Sequence, residues 1–377
     1  MFYKKFATLA LISFSLLVFA CESAEENVTE VVTQENNTTE IAIENESVEK
    51  INVLATTPMI AEYVRQVGND NIDLNILMPY SADPHSFEAS PQDAKKIADA
   101  DLVFYVGLKY ESANLVELLE NSVSSEDILI EIGPSINPIE FSEEGHDDHE
   151  GHDDHEGHEG HEGHDHGIYD PHFWFDPIRV SMAVEVIKDE LIKNDSANES
   201  SYASAADSFV SELEALDQNV VVMFETIPVK NRKIITTHEA LGYLEAKYEI
   251  VVLTTIIPSL NSEDGITPKS LRNAIEVIEK NKIEVMFLEA ESSSQYSEVI
   301  EQETGIALVS GLWVETLQEN QSYVEWLENN VTIIVNNLPT EVHDDHDHDH
   351  DHDDHDDDDD HDDDDDHDGH DHGKKDK

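Results

Sequence analysis

Hydrophobic residues recur along the first part of the chain in two alternating patterns. Apolar runs of five to seven residues, typical of buried strands, alternate with segments in which apolar residues keep a helical spacing. The runs predict strands at 51–56, 72–78, 102–106 and 128–132, with helices at 58–67, 90–100 and 113–121. An alternating order of strands and helices implies a mostly parallel sheet flanked by helices.

A second alternating set begins at residue 233. It predicts strands at 233–237, 250–253, 285–288 and 307–309, with helices at 240–247, 269–281, 296–303 and 323–337. Between the two sets lie helices at 178–193 and from Ser200 to about Glu225, the second marked by Phe209, Leu213, Leu216 and Val220. At 1.5 Å per residue this second helix would be roughly 38 Å long. The predicted fold is α/β, with two lobes joined by one long rigid helix, each lobe a mostly parallel sheet flanked by helices.

Three segments lack any apolar periodicity. They are the Glu-, Asn- and Thr-rich residues 22–50, the His/Asp/Glu/Gly run 143–167, and the Asp/His tail. Such segments cannot bury a core and are expected to be disordered. The predicted organisation is a signal peptide at 1–20, a lipid-anchored disordered tether at 21–50, an N-terminal lobe at 51–199 that contains the His-rich loop 143–167, a linking helix at 200–228, a C-terminal lobe at 229–340, and a disordered tail at 341–377.

The N-terminus has the pattern of a targeting segment. Lys4 and Lys5 precede an apolar stretch, Phe6–Phe19, that is too short to span a membrane but suits the core of a signal peptide. The stretch leads into Cys21, the only cysteine, in a context similar to a bacterial lipoprotein signal. We therefore predict lipidation of Cys21 and an extracytoplasmic location on a bacterial membrane, in the periplasm or at the cell surface. The alternative is an ordinary secretory signal followed by a chance cysteine.

The net charge of −64 narrows the choice of ligand. Nucleic acid is excluded as a partner because its phosphates would be repelled. A strongly acidic surface instead raises the local concentration of cations. A second interpretation, that the charge only keeps the protein soluble, stays open.

Histidine is distributed in two distinct ways. Of the 21 histidines, eight lie between His146 and His166 and ten between His343 and His372, which leaves His85, His172 and His238. These three follow predicted strands or lie in proline-containing loops, and ligands of open α/β sheets bind at the carboxyl ends of strands. Imidazole is the commonest protein ligand for transition metals. The three isolated histidines therefore predict a shared metal site in the cleft between the lobes, although each alone could be a structural residue.

The chain resembles the zinc/manganese-type metal-binding solute-binding proteins of ABC importers, known as the cluster A-I family. The matching stretches occur in family order and are MPYSADPHSFEASPQD (78–93), DPHFWFDP (170–177), RKIITTHEALGYLEAKY (232–248), PKSLRNAIEVIEKNKIEVMFLEAESSS (268–294) and ETGIALVSGLWVET (303–316). The resemblance implies two α/β lobes joined by a rigid helix, with the metal held between them by His85, His172 and His238.

The fourth ligand departs from the family pattern. Where many members have Asp, this chain has Glu315, which the resemblance implies as the ligand. Glu289 and Glu291 follow the strand 285–288 and are alternatives on topological grounds, and water is another. Three imidazoles with one carboxylate or water suit tetrahedral Zn²⁺, whereas Mn²⁺, the less favoured ion, prefers more oxygen ligands.

The His-rich loop also favours zinc, because such a loop marks the zinc importers of the resembling family. Its imidazoles would bind Zn²⁺ weakly and release it below about pH 6.5, where they become protonated. These auxiliary positions are His146, His149, His152, His155, His158, His161, His164 and His166. The tail is expected to act in the same way. The alternative for both tracts is a solubilising role only.

These features together predict a function in transport. We expect a monomeric, lipid-anchored Zn²⁺ receptor that delivers metal to an ABC permease and is not an enzyme. A manganese receptor of the same family is the main alternative. A zinc hydrolase with Glu239 as general base lacks a supporting motif, and a surface metal buffer or adhesin is the remaining possibility.

Overall fold

Two sets of parallel strands, one in each half of the chain, form the framework of the molecule. The computed structural model describes residues 50–80, 82–141, 169–291 and 296–341. The predicted signal peptide and tether with Cys21, the histidine run from His146 to His166 and the tail from residue 342 lie outside these residues. Both lobes belong to one compact unit, which begins at Glu49.

The first lobe contains a four-stranded sheet in the order β2-β1-β3-β4, in which every pair is parallel. Its strands are β1 (Ile51–Ala55), β2 (Ile72–Ile76), β3 (Leu102–Tyr105) and β4 (Leu129–Glu131). Its helices are α1 (Pro58–Gly68), α2 (Pro91–Ala98), α3 (Ala113–Ser122) and α4 (Pro177–Asn194). α1, α2 and α4 begin with proline, which is favourable there because N–H groups of the first turn have no hydrogen-bond partner within the helix.

The second lobe contains two parallel strand pairs, β5-β6 and β7-β8, and β5 also lies against β7. Its strands are β5 (Lys233–His238), β6 (Val251–Ile257), β7 (Val285–Glu289) and β8 (Ala307–Leu312). Its helices are α6 (Gly242–Tyr248), α7 (Pro268–Asn281), α8 (Ser297–Thr304) and α9 (Tyr323–Asn337). His238 is the last residue of β5 and Glu289 the last of β7, so the carboxyl ends of two neighbouring strands face the first lobe.

One long helix, α5 (Glu199–Glu225), connects the lobes. Its 27 residues extend about 40 Å at 1.5 Å per residue. It packs against α1 and α4 of the first lobe and against α9 of the second. The buried side chains recur every three or four residues: Tyr202, Ala206, Phe209, Leu213, Leu216, Val220 and Phe224. The predicted α/β fold, with two lobes and one long helix between them, is confirmed.

All four strands of the second lobe extend past their predicted ends, β5 and β7 by one residue and β6 and β8 by several. β6 continues through Thr254 and Thr255, which are both 2% exposed. These polar residues can be buried in a strand because their hydroxyls find partners: that of Thr255 donates to the Ile257 carbonyl at 3.0 Å and to Glu239 at 2.9 Å. β8 continues through Ser310 and Gly311, and Gly311 has a φ of 106° that suits glycine. Polar and glycine residues mark strand ends in a sequence, but here tertiary contacts keep them within strands. Among the described residues, no helix is both long and apolar enough to cross a membrane.

Candidate metal centre

Three imidazoles and one carboxylate converge between the two lobes. One ligand atom from each of His85, His172, His238 and Glu315 lies within 4.8 Å of the others. Glu315 Oε1 is 2.7 Å from Nε2 of His238, 3.3 Å from Nε2 of His172 and 3.6 Å from Nε2 of His85. The sequence placed these residues in four separate segments, and the fold brings all four together.

The converging atoms are buried and have no hydrogen-bond partner. Within the described part of the chain, this holds for five atoms of the cluster: Nε2 of His85, His172 and His238, and both carboxylate oxygens of Glu315. Burying a polar group without a partner costs a few kcal/mol, and most such groups in native proteins are satisfied. A divalent cation among them would satisfy the imidazole nitrogens and the carboxylate together, so the donor set fits a metal ion.

The first lobe presents its two histidines on the same tripeptide, Asp-Pro-His. Asp83 Oδ1 accepts a hydrogen bond from the backbone N–H of His85 at 2.9 Å, and Asp170 Oδ1 accepts one from the backbone N–H of His172 at 2.8 Å. A bond from an Asp side chain to the backbone two residues later closes a local turn, and the proline fixes φ inside it. The repeated tripeptide therefore sets the backbone at both ligands.

Two of the imidazoles are also held from behind by carboxylates. His172 Nδ1 lies 2.8 Å from Asp170 Oδ1, and His238 Nδ1 lies 2.6 Å from Glu289 Oε2. Glu289 additionally accepts the backbone N–H of His238 at 2.9 Å. A carboxylate that accepts the Nδ1 proton leaves the Nε2 lone pair directed at the metal and makes the ligand more basic. Asp170 and Glu289 thus orient His172 and His238.

The electrostatics of the cluster favour a proton when no cation is present. Burial disfavours the imidazolium, but the negative charges of Glu315 and Asp170 outweigh it and raise the pKa of His172 to about 9. Burial likewise opposes protonation of His238, yet Glu289 and Glu315 raise its pKa well above the usual range. Burial would raise the pKa of Glu315, but the neighbouring imidazoles hold it well below its ordinary value. An arriving metal must therefore displace protons.

The three acids considered for the fourth position lie in different places. Glu315 lies in the cluster, whereas Glu289 lies behind His238. Glu291 accepts hydrogen bonds from the backbone N–H groups of Val314, Glu315 and Thr316. Burial and the charge of Glu315 raise the pKa of Glu291 to about 8. Glu239, the base of the hydrolase alternative, accepts a hydrogen bond from Thr255 at 2.9 Å.

Asp170 was not singled out from the sequence, although a signal for it was present. It stands two residues before His172, as Asp83 stands two residues before His85, and the repeated Asp-Pro-His could have indicated it. The orienting role of Glu289 had no such signal because it lies 51 residues from His238 in the chain.

His85 is the ligand that adjoins a cavity. The side chains of His172 and His238 are 0% exposed, and those of His85 and Glu315 are 2% exposed. A cavity of about 820 Å³ adjoins His85 and is lined by residues of both lobes, among them Tyr110 and Leu260. Of the four converging residues, His85 is the one that lines this cavity.

The residues that flank the histidine run lie close to this centre. Glu140 and Tyr169 form an antiparallel bridge, and the backbone N–H of Asp170 donates to the carbonyl of Ile139 at 3.0 Å. The described residues on either side of the run are therefore paired with each other, and Tyr169 lies three residues before His172 in the chain.

Comparison with known proteins gives one consistent result. Residues 53–337 match the family described as ZnuA, zinc-uptake complex component A, periplasmic. The chain is 24% identical over 346 residues to the manganese ABC transporter substrate-binding lipoprotein PsaA of Streptococcus anginosus, covering 89% of this chain and 99% of that protein.

Two solved structures have a similar fold. The periplasmic zinc binding protein TroA from Treponema pallidum has a TM-score of 0.66 at 20% identity and covers 76% of this chain and 99% of its own. The Fe(III)-bound YtgA from Chlamydia trachomatis has a TM-score of 0.65 at 24% identity. The match covers 78% of this chain and 100% of the YtgA chain. These likenesses show the same two-lobed architecture.

Proposed function

Because the chain belongs to the ZnuA family of periplasmic zinc-uptake components, we propose that it captures Zn²⁺ between its lobes and delivers the ion to an ABC permease. Members of this family are extracytoplasmic substrate-binding receptors of metal importers and not enzymes. The hydrolase alternative with Glu239 as base is therefore excluded. The observation that carries the proposal is the group of buried, unpartnered Nε2 atoms that face Glu315.

The donor set supports zinc as the transported ion. Three imidazole nitrogens and one carboxylate oxygen provide the four ligands of a tetrahedral zinc site. Each member of the set has a role in the proposal: His85, His172 and His238 bind through Nε2, and Glu315 binds through a carboxylate oxygen. The carboxylates behind His172 and His238 hold the neutral rings in the tautomer that a cation needs.

Manganese is the second candidate, and one observation favours it. Both carboxylate oxygens of Glu315 lack a hydrogen-bond partner, so both are available for a bidentate contact that would add an oxygen ligand. Mn²⁺ prefers oxygen-rich coordination. The relative from Streptococcus anginosus is also named for manganese. A direct competition between the two ions decides this point.

The anchor and the histidine tracts complete the proposal. The importer component is attached to the membrane, and we propose lipidation of Cys21 as the attachment and a monomer as the active form. The run from His146 to His166 would collect Zn²⁺ weakly and raise its concentration near the centre. The bridge between Glu140 and Tyr169 supports this, because it pairs the described residues on either side of the run, and Tyr169 is three residues before His172.

Release of the ion requires contacts between the lobes to loosen. Tyr110 of the first lobe donates its hydroxyl to the Glu315 carbonyl at 3.0 Å, and Trp174 donates its indole N–H to the Val314 carbonyl at 2.7 Å. In our proposal, docking to the permease shifts the second lobe slightly and draws His238 and Glu315 away from the metal. The long helix α5, buried against both lobes, resists a wide hinge motion.

Competition between the protein and a tight chelator tests the proposal. Because weak sites in the tracts lose to the chelator, the full chain should retain one tight Zn²⁺ per molecule and bind Mn²⁺ more weakly. The variant His238→Ala should lose the tight site, while deletion of the gene should impair zinc-limited growth. Tight binding that survives His238→Ala would overturn the site, and normal growth without the protein would favour a metal buffer or adhesin.

A further inference from the structure

The segment that carries Glu315 belongs to no helix or strand, yet side chains hold its whole backbone. The N–H of Trp313 donates to Asn330 Oδ1 at 2.9 Å. The next three N–H groups, of Val314, Glu315 and Thr316, donate to the Glu291 carboxyl at 3.4, 3.2 and 3.3 Å. A backbone outside regular structure must find its partners elsewhere when it is buried. Here one acidic side chain supplies most of them.

The carbonyl groups of the same segment are also occupied. Asn330 Nδ2 donates to the Trp313 carbonyl at 2.7 Å, Trp174 donates to the Val314 carbonyl and Tyr110 to the Glu315 carbonyl. Trp174 and Tyr110 belong to the first lobe, so their bonds depend on how the lobes are placed. Glu291 and Asn330 belong to the same lobe as Glu315. Asn330 holds Trp313, and Glu291 can hold residues 314–316 whether or not the lobes are in contact.

The Glu315 side chain depends on this backbone for its position. Its Oε1 atom lies 2.7 to 3.6 Å from the three imidazole Nε2 atoms of the metal site. The backbone at 314–316 sets the direction from which the carboxylate enters the site. Three converging N–H groups form a concavity suited to an acidic group, and the Glu291 carboxyl fills it.

We propose that Glu291 is the positioning residue for the fourth metal ligand. It is not one of the four residues whose ligand atoms converge, and its contribution to metal binding passes through the placement of Glu315. The inference rests on the proposed function, because it takes Glu315 to be a ligand. It extends that function by assigning to Glu291 a role different from that of a ligand.

A double-mutant cycle on the full chain tests this role. Zinc affinity is measured by chelator competition for wild type, Glu291→Ala, Glu315→Gln and the double variant. Partners that orient a ligand contribute about 10- to 100-fold to metal affinity, so Glu291→Ala should weaken Zn²⁺ binding about tenfold. In the Glu315→Gln background the same change should have almost no effect, because the ligand it positions is already impaired.

Three measurements separate positioning from a merely structural effect. Glu303→Ala removes the same side chain from an exposed site of the second lobe and should leave zinc affinity unchanged. Glu291→Gln keeps a carbonyl acceptor for the N–H groups and should lose only about threefold. With Co²⁺ in place of Zn²⁺, Glu291→Ala should alter the visible absorption spectrum, whereas Glu303→Ala should not.

The outcomes distinguish the inference from the function beneath it. Equal losses from Glu291→Ala in both backgrounds, or no loss in either, would overturn the role of Glu291 while the metal site stands. Unchanged zinc affinity in Glu315→Gln would instead overturn the ligand assignment. If Glu291→Ala does not fold, Glu291→Gln carries the same cycle, and its threefold loss should vanish in the Glu315→Gln background.

Discussion

The two Asp-Pro-His segments of the first lobe have the same sequence but hold their histidines differently. In both, the aspartate accepts the backbone N–H of the histidine two residues later. Asp170 also contacts His172 Nδ1, so the ring is fixed as well as the backbone. Asp83 instead accepts a hydrogen bond at 2.7 Å from the hydroxyl of Ser262, across the cleft in the second lobe.

The difference assigns the two ligands different roles. His172 is completely buried and is held within its own lobe, so it is ready to bind before the lobes adjust. His85 borders the cavity, and its loop is tied to the second lobe through Asp83. We infer that His172 is the fixed ligand and His85 the ligand that completes the site. The predictions below compare the two segments.

The largest difference is expected when each histidine is removed. A structural zinc site supplies about 10–16 kcal/mol, or roughly 3 kcal/mol for each of four ligands, which corresponds to a loss of more than about 100-fold in affinity. His172→Ala should show this full loss. His85→Ala should lose only about tenfold, because water from the cavity can take the vacant position. Chelator competition with both variants checks this, and equal losses would remove the distinction.

The pH dependence of binding should be nearly as large. Below the raised pKa of His172, about 9, the metal-free site holds a proton that the ion must displace. Because the pKa of His238 is raised as well, apparent Zn²⁺ affinity should rise at least about tenfold per pH unit between pH 7 and 9. Calorimetry in buffers of different ionisation enthalpy measures the proton released. A flat profile from pH 7 to 9 would contradict the raised pKa.

The same pKa predicts the opposite trend for the stability of the metal-free protein. A histidine whose pKa is higher when folded stabilises the fold at low pH, and this contribution is lost as the pH rises through about 9. Acid therefore favours the empty receptor, and alkali favours the loaded one.

Replacing each aspartate should separate backbone from ring effects. Asp170→Asn keeps an acceptor for the backbone N–H of His172. It removes the negative charge that Asp170 places beside His172 Nδ1, so zinc affinity should fall about 10- to 100-fold. Asp83→Asn should cost less than about threefold, because Asp83 reaches His85 only through its backbone. If the two variants lose zinc affinity equally, each aspartate contributes only by forming the turn that both segments share.

An effect smaller than that of Asp170→Asn is expected from Gly242, at the start of α6. A Cβ atom there would lie 2.5 Å from Asp170 Oδ2. Gly242→Ala should displace the Asp170 carboxylate and weaken Zn²⁺ binding several-fold, with no further loss in the Asp170→Asn background. An additive loss in that background would mean that Gly242 acts on the site by another route.

Much of this arrangement could be predicted from local sequence. The strands and helices could be predicted because each leaves its own pattern of hydrophobic residues. A buried strand appears as a continuous apolar run, and a helix with one buried face shows apolar residues at helical spacing. His85, His172 and His238 could be identified because they stand alone near strand ends or in proline-containing loops. Glu315 was indicated only by the resemblance to a known family.

The supporting contacts could not be predicted in this way. Glu289 and His238 are 51 residues apart, and Glu291 and Glu315 are 24 apart, so only the fold brings them together. A buried acid that accepts backbone N–H groups has the same sequence appearance as a ligand or a surface acid. The two Asp-Pro-His segments also could not be told apart from sequence. Both form the same local turn, and tertiary packing decides whether the aspartate also contacts the histidine ring, as Asp170 does, or Ser262, as Asp83 does.

The position of the bound ion is the most direct test of the site. Crystals of the full chain loaded with one equivalent of Zn²⁺ would be measured at the zinc absorption edge. We expect one anomalous peak about 2.0–2.1 Å from Nε2 of His85, His172 and His238 and about 2.0–2.2 Å from a Glu315 oxygen. A main peak anywhere else in the ordered protein, or coordination by Glu289 or Glu291 in place of Glu315, would contradict this account.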